Sequence, residues 1–413
     1  MKTGAAATVA RMRPGLIAVV AFVAAALGAG STLLIGTAAG WIDEPAGERD
    51  AAATVVVDRE ASDGGEQAAT PIVGNGFEPA RIFERASPGV VTIYAVFGGG
   101  RTSQGSGFVA SDAGHVLTNS HVITDVGESQ AARPVRGANS VYVVFSDGDR
   151  VPATIVGWDL YNDTGVVKVD PRDHELVRVP LGDSDAVRVG EPVAAIGSPF
   201  GNENSLSVGV VSAVARSIPS LTSRYRVSNA IQIDAPINHG NSGGPLLDAR
   251  GRVIGINAQI RSESGTAEGV GFAIPINSAR RSMEQLVEKG RVAYAYVGIT
   301  TRDVTPSLAR KYGLASERGA LIEDVIPRGP AARAGIRGSA KQELFHGEPV
   351  PVGGDVIVSL AGERVSRADD VARIVTERLR PGQVVRAQVL RAGKGEPQTV
   401  ELRLTERPLD PTR

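Results

Sequence analysis

Short apolar runs separated by Gly, Asp, Asn and Ser dominate the middle of the chain. Their residue spans are 90–96, 105–109, 116–118, 140–145, 151–158, 166–169, 192–196, 208–215, 230–233, 246–247, 253–259 and 270–274. Many short strands with turn residues between them are typical of an all-β sandwich or barrel. A region of about 200 residues has the size of a double β-barrel, so we expect a mainly β domain over residues 77–290.

Two helices are predicted at the ends of this β-rich region. Residues 78–86 form one short helix that Pro88 stops, and residues 277–289 form a second one. Gly290 follows the second helix, and glycine commonly ends a helix in a left-handed conformation. The second helix therefore closes the β domain, and a new unit begins at about residue 291.

The N-terminal part of the chain has a different pattern. No charged residue lies between Arg13 and Asp43, and the apolar run 16–40 is long enough to cross a bilayer core of about 30 Å. Three basic residues precede the run, so the positive-inside rule places residues 1–15 in the cytoplasm and exports the rest. We expect a retained transmembrane anchor; the alternative is a cleaved signal peptide, whose apolar part is typically about 7–15 residues. Residues 41–76 are polar and rich in Ala and Gly, which predicts a flexible linker.

Composition narrows the chemistry that the chain can perform. Its 413 residues carry a formal net charge of -1, which gives no indication of nucleic-acid binding. The chain has no cysteine, which excludes disulfides, thiol catalysis and thiolate metal sites. Its five histidines show none of the spacings that are typical of zinc sites.

Residues 238–245, with the sequence Asn-His-Gly-Asn-Ser-Gly-Gly-Pro, have the form of a serine nucleophile turn. A serine hydroxyl needs a base to take its proton, and the oxyanion that forms needs backbone N–H donors held in place. Ser242 is the candidate nucleophile, and Gly240, Asn241 and Ser242 are the candidate oxyanion-hole residues, because glycine permits the tight turn required. A Gly/Ser surface loop is the alternative interpretation of this motif taken by itself.

Two further segments supply the expected partners of Ser242. His121 lies at the end of one predicted strand, and Asp163 directly precedes another. His121 would take the proton from Ser242, and Asp163 would bond the other ring nitrogen and fix its tautomer. The chain order His, Asp, Ser is that of chymotrypsin. Asp159, four residues before Asp163, is the alternative third member.

In these motifs and their order the chain resembles the bacterial HtrA (Deg-type) serine proteases. The segments that carry the resemblance are 105–109, 117–122, 159–163, 195–201, 231–238, 240–245 and 269–275. The resemblance implies a chymotrypsin-like double β-barrel with the second aspartate, Asp163, in the triad. One departure is Thr164-Gly165, where the family usually has Leu-Ala. Since a triad and an oxyanion hole suffice for the reaction, no metal, nucleotide or other cofactor is expected.

The resemblance also locates a substrate-binding region. In this protease clan the base of the specificity pocket lies six residues before the nucleophile, which is Pro236, followed by Ile237. Neither residue is acidic, so we expect a small or medium aliphatic substrate side chain there rather than a basic one. Gly269, Val270 and Gly271 would form the strand that lies along the substrate.

Residues 291–408 resemble one PDZ domain of the HtrA type. The matching segments are 296–299, 319–322, 329–336, 354–357 and 360–365. PDZ domains bind an extended C-terminal peptide as an added strand and hold its carboxylate with backbone N–H groups. The carboxylate-binding loop implied by the resemblance consists of Tyr296, Val297, Gly298 and Ile299. Residues 367–380 would form the opposite helix, and the inserted residues 338–352 would form a disordered loop or a partner contact.

The resemblance implies a membrane-tethered serine endopeptidase on the extracytoplasmic (periplasmic) side of the bacterial inner membrane, acting in protein quality control or envelope stress response. The PDZ domain would bind C-terminal peptides and regulate the cleavage of unfolded or membrane-protein substrates. A homotrimer packed through about residues 77–83 is also implied, and no nucleic-acid partner is expected. The alternative is a chaperone or peptide-binding scaffold with little proteolysis, which replacement of Ser242 by alanine would distinguish.

Overall fold

The structure of the protein is a computed structural model that describes residues 76–126, 135–198, 204–223, 225–237, 240–258 and 270–408. The expected anchor at 16–40 and all of the expected linker except Gly76 lie outside these residues. Within the described ranges, no helix has the length and apolar character of a membrane span.

The first six strands close into a barrel. They are β1 (Val90–Val96), β2 (Thr102–Val109), β3 (His115–Thr118), β4 (Ser140–Val144), β5 (Arg150–Asp159) and β6 (Thr164–Lys168), in the spatial order β1-β2-β3-β6-β5-β4. Helix α1 (Pro79–Ala86) precedes the barrel, and the single turn α2 (Ser120–Ile123) follows β3. The sequence of β1 is mostly β-branched and aromatic, which suits a pleated and buried surface.

A second closed barrel follows. Its strands are β7 (Pro192–Gly197), β8 (Ser205–Pro219), β9 (Arg226–Ile233), β10 (Pro245–Leu247), β11 (Val253–Ala258) and β12 (Gly271–Pro275), in the order β10-β11-β12-β9-β8-β7. Helix α3 (Ile276–Lys289) ends at Gly290, which has a left-handed φ of 68°. The two closed barrels confirm the predicted double β-barrel, and α3 confirms the predicted closing helix.

The two barrels share a hydrophobic core. Fully buried side chains from both sides meet there, among them Phe108 and Leu117 from the first barrel and Ile196 and Ile256 from the second. Each such side chain contributes about 1.5–3 kcal/mol through burial. This shared core holds the end of β3 and the starts of β6 and β10 in place at the junction of the two barrels.

The remaining strands form a separate sheet. The elements are β13 (Ala295–Tyr296), β14 (Ile299–Asp303), α4 (Pro306–Tyr312), β15 (Ala320–Val325), α5 (Pro330–Arg333), β16 (Lys341–Phe345), β17 (Glu348–Val352), β18 (Val356–Leu360), β19 (Glu363–Arg364), α6 (Ala368–Arg378), β20 (Val384–Arg391), β21 (Lys394–Arg403) and β22 (Thr405–Glu406). The main sheet has the order β14-β15-β18-β20-β21, with β19 beside β18. Strand β14 is therefore an edge strand, and α6 contacts it.

The inserted residues fold into a β-hairpin. Strands β16 and β17 pair from Lys341–Val352 to Phe345–Glu348. His346 and Gly347 both have positive φ, 51° and 84°, as a tight hairpin turn requires. The expectation of a disordered loop at 338–352 is therefore wrong, while a partner contact stays a prediction.

Candidate active site

His121 and Asp163 meet at the end of the first barrel. Nδ1 of His121 lies 2.7 Å from Oδ2 of Asp163, whose side chain is 4% exposed. The other carboxylate oxygen accepts hydrogen bonds from the His121 amide at 3.0 Å and from the Ser120 hydroxyl at 2.7 Å. A proton held on Nδ1 leaves Nε2 as the basic nitrogen, which is the tautomer that a general base needs.

The backbone of Asp163 is held as firmly as its side chain. Its φ is 48°, a left-handed conformation that aspartate tolerates better than most residues. Its carbonyl oxygen accepts from Nδ2 of Asn119 at 2.9 Å and from the amide of Ser120 at 3.2 Å. The segment that carries His121 thus fixes the turn that carries Asp163.

The Ser242 turn lies at the start of β10 and packs against β2. The amide of Ser106 donates to the Ser242 carbonyl at 2.8 Å, and the Ser106 hydroxyl donates to the Gly240 carbonyl. Gly240 and Gly243 have φ values of 106° and 88°. A Cβ on Gly243 would lie 2.2 Å from the Ser106 carbonyl oxygen, so the turn needs glycine there for both conformation and space.

The amides of this turn and the Ser242 hydroxyl differ in their hydrogen bonding. The amides of Gly243 and Gly244 donate to the carbonyls of Asn257 and Asn241 at 2.9 and 3.0 Å. The Ser242 hydroxyl is buried and has no hydrogen-bond partner in the part of the chain that the structure describes. Hydrogen bonds of a catalytic site often tighten only when substrate binds. The Ser242 hydroxyl is the group that this arrangement offers as a nucleophile for acyl transfer.

Known proteins share both halves of this architecture. The trypsin-like peptidase domain family matches residues 105–256, and a PDZ domain family matches residues 295–404. A solved structure titled "HtrA-type protease AlgW with tripeptide" is 34% identical with a TM-score of 0.64, covering 80% of this chain and 98% of that one. The chain belongs to the HtrA family of trypsin-like serine proteases.

Other relatives give the same family. The serine endoprotease from Yersinia pestis is 30% identical with a TM-score of 0.56, covering 80% of this chain and 98% of that chain. Probable periplasmic serine endoproteases described as DegP-like match from Brucella suis biovar 1, at 38% identity over 294 residues, and from Halomonas elongata, at 39% over 300. These alignments cover 71% and 73% of this chain but 51% and 56% of the relatives. The chain spans about half the length of the curated relatives it matches.

In this HtrA-family chain, the residues expected to bind substrate precede the Ser242 turn and surround the start of β12. Pro236 is exposed, Ile237 is buried, and Val270 is 52% exposed. A Cβ on Gly271 would lie 2.8 Å from Cγ1 of Ile237, so glycine allows β12 to approach this residue closely. Gly269 lies outside the described residues.

The expected carboxylate loop of the PDZ domain connects β13 with the edge strand β14. Tyr296 ends β13, Val297 is buried, Gly298 has a φ of 79°, and Ile299 begins β14. The Gly298 carbonyl accepts from the amide of Ile326 at 2.9 Å, which anchors the loop to the sheet. The loop therefore precedes an open sheet edge, as peptide capture by strand addition requires.

Asp159, the alternative triad aspartate, has a different environment. Its carboxylate accepts from the hydroxyls of Tyr294 at 2.5 Å and Ser282 at 2.6 Å, and from the amides of Tyr161 at 2.9 Å and Asn162 at 3.3 Å. Burial raises the pKa of the Asp159 carboxyl, although these four donors act in the opposite direction. Asp159 thus stabilises the turn before Asp163 through hydrogen bonds to its amides, whereas the His121 ring bonds to Asp163.

Two site residues were not singled out by the sequence. Ser106 links β2 to the Ser242 turn, and Ser120 donates to the Asp163 carboxylate. Ser120 stands directly before His121, so a hydroxyl at that position was an available signal. Ser106 is separated from Gly240 by 134 positions, and no local pattern indicates their contact.

Proposed function

We propose that this HtrA-family chain is a serine endopeptidase with Ser242 as nucleophile, His121 as general base and Asp163 as its orienting partner. The observation that carries the proposal is the 2.7 Å contact between His121 and Asp163 at the junction that also holds the buried Ser242 hydroxyl. The Asp163 carboxylate accepts three hydrogen bonds and its carbonyl two more, so its position is set before substrate arrives.

The first half-reaction follows from these positions. Nε2 of His121 takes the proton of Ser242 as Oγ attacks the carbonyl carbon of the scissile peptide bond. The amides of Gly240 and Ser242 donate to the oxygen that becomes negatively charged, with Asn241 shaping the turn between them. Asp163 stabilises the imidazolium, which then protonates the leaving amine.

The second half-reaction reverses the proton path. Water gives a proton to His121 and attacks the acyl group on Ser242, and the protonated His121 returns the proton to Ser242 as the acid product leaves. Pro236 and Ile237 give the adjoining pocket no acidic group, which favours a small or medium aliphatic side chain before the cleaved bond. Residues 269–271 would pair with the substrate backbone.

We propose that C-terminal peptides bind between β14 and α6, with residues 296–299 holding the carboxylate, and that this binding regulates cleavage. The AlgW structures titled with a tripeptide and a decapeptide support peptide binding by such chains. The periplasmic names of the curated relatives support an extracytoplasmic location. A role in protein quality control or envelope stress response is part of this proposal. The membrane anchor at 16–40 and the trimer remain part of the same proposal.

Cleavage of an unfolded protein such as casein by the full chain tests the proposal. Wild type should cleave it in at least one of two conditions, with C-terminal peptide present or absent, and S242A should lose all cleavage in both. S140A is the matched control, because Ser140 is an exposed serine of the first barrel. Equal cleavage by S242A and wild type, or a folded wild type that binds peptide and never cleaves, would contradict the assignment and favour a scaffold.

A further inference from the structure

The end of the PDZ domain returns to the protease domain at Arg407. Cζ of its guanidinium lies 5.5 Å from the ring centroid of Tyr161, 5.2 Å from that of Tyr225 and 5.4 Å from that of Tyr294. We call these three rings the tyrosine cage. A cation over aromatic faces at such distances is attracted by the ring quadrupoles, and the attraction strengthens when water is excluded.

The residues of the tyrosine cage also form hydrogen bonds with the backbone around Arg407. The Tyr161 hydroxyl donates to the Arg407 carbonyl at 2.7 Å, and the Tyr225 hydroxyl donates to the Pro408 carbonyl at 2.8 Å. The Arg407 amide donates to the Tyr294 carbonyl at 2.8 Å. Burial raises the pKa of Tyr161 to about 12, and it raises that of Tyr294 as well, so both phenols keep their protons at neutral pH.

On one side the cage is continuous with the turn before Asp163. Tyr161 is itself in that turn, and Nδ2 of Asn162 donates to the Tyr294 hydroxyl at 2.7 Å. The Leu160 carbonyl accepts from the Thr222 hydroxyl at 2.6 Å. Each residue between Asp159 and Asp163 is thus held from outside the turn, and two of the three contacts lead to the cage.

On the other side Arg407 reaches the PDZ helix. Its Nη2 donates to the Thr376 hydroxyl at 3.1 Å, and Thr376 lies in α6, beside the edge strand β14. The next residue, Glu377, accepts from Nδ2 of Asn229 in β9 at 3.0 Å, and its carbonyl accepts from the Arg281 guanidinium in α3. Arg407 is therefore one side chain that touches both α6 and the turn before Asp163.

We propose that Arg407 is a positioning residue that couples helix α6 of the PDZ domain to the turn holding Asp163. The inference rests on the proposed function and adds the route by which peptide binding changes cleavage. A peptide seated against α6 shifts the Thr376–Arg407 contact, the cage passes the shift to Tyr161, and the orientation of Asp163 sets that of His121. Such coupling is reciprocal, so a group bound at Ser242 changes peptide affinity by the factor with which the peptide changes its binding.

The test compares the full-length wild type, R407Q and R403Q, with and without a saturating C-terminal peptide. Arg403 is an exposed arginine of β21 and serves as the matched control. We expect R407Q to lower kcat by about tenfold to a hundredfold, the scale of a misplaced catalytic group, while KM stays within about twofold. The peptide should change kcat of wild type and R403Q by about fivefold or more, and that of R407Q by less than about twofold. Peptide affinity, measured by fluorescence anisotropy, should be similar in all three proteins.

T376V is the second variant, because it removes only the hydroxyl that accepts from Arg407 and leaves the cage intact. We expect it to weaken the response to peptide, and we expect T376V/R407Q to respond no less than R407Q does, since both act through one contact. This variant keeps the test decisive if R407Q unfolds. Thermal melting of each variant identifies any loss caused by unfolding.

The outcomes separate the inference from the proposed function. R407Q that keeps the full peptide response would overturn the inference, and so would T376V and R407Q effects that simply add. A wild type that cleaves through Ser242 and binds the peptide without any change in kcat would also overturn the inference, while the protease assignment stands. A wild type without Ser242-dependent cleavage would overturn both.

Discussion

The two barrels hold their halves of the candidate site by different means. On the first-barrel side, hydrogen bonds from Ser120, Asn119 and the His121 amide fix Asp163. On the second-barrel side, backbone atoms pack so closely around the Ser242 turn that glycine is needed at Gly243 and Gly244. The first-barrel side is therefore the polar half of the site, where a substitution removes a single hydrogen bond to Asp163. The second-barrel side is the steric half, where a side chain added to a glycine clashes with backbone atoms.

The largest expected effect falls on the polar half. D163N keeps the shape of the side chain but makes the amide nitrogen a donor, which favours the wrong tautomer of His121. We expect kcat to fall by about 10⁴-fold with little change in KM. Steady-state kinetics on a peptide substrate measures this, with D159N as the matched carboxylate. A larger loss in D159N than in D163N would show that the wrong aspartate has been assigned.

The next effect tests the steric half. A Cβ in G243A meets the Ser106 carbonyl oxygen at 2.2 Å, whereas one in G148A meets nothing within 4 Å, and the φ values of the two glycines are 88° and 89°. Both variants bear the cost of a left-handed alanine, roughly 1–2 kcal/mol. Only G243A adds overpacking, typically about 1–3 kcal/mol more. Urea unfolding gives both values, and equal losses would contradict the steric account.

A smaller effect is expected from one hydrogen bond of the polar half. S120A removes the 2.7 Å bond to the Asp163 carboxylate and leaves the contact with His121. We expect kcat to fall by about tenfold, because a hydrogen bond to a charged group contributes about 1.5–3 kcal/mol. The control is S111A, whose hydroxyl bonds His115 away from the site. Unchanged kinetics in S120A would show that the other donors suffice.

The smallest effect concerns pH and Asp159. Its folded pKa is raised by burial, so it takes up a proton on folding, and the stability it contributes at low pH is lost as pH rises through that folded pKa. D159N has no carboxyl group at this position, so its stability does not change with pH in this way. The free energy of unfolding of wild type relative to D159N should therefore decrease as pH rises above about 4, the ordinary pKa of an aspartate. Urea unfolding of both proteins at several pH values measures this difference. A wild type that gains stability relative to D159N as pH rises would contradict the prediction.

The sequence predicted those parts of the molecule whose signal is local. The apolar runs marked nearly every barrel strand, and Gly290 marked the end of α3. The order of His121, Asp163 and Ser242 indicated both the barrel type and the site. The double β-barrel was predicted from the domain size and the family resemblance, whereas the six strands of each barrel and their order were not predicted.

The parts not predicted depend on contacts between distant residues. Tyr161 and Arg407 are 246 positions apart, so no pattern indicates that one cages the other. The sequence indicates Asp159 only as an alternative to Asp163, because its partners Ser282 and Tyr294 lie 123 and 135 positions away. The hairpin at 341–352 was missed because its polar strands and two prolines lack the alternation of a half-buried sheet.

The most direct test of the central claim is covalent labelling of Ser242 by a fluorophosphonate, which reacts with activated serine hydroxyls. The full chain would be treated in the presence of saturating C-terminal peptide, and the modified residue located by mass spectrometry in wild type and in H121A. We predict one adduct, on Ser242, that is lost in H121A because the base is absent. A folded wild type without the adduct, or equal labelling of Ser242 in H121A, would contradict the account.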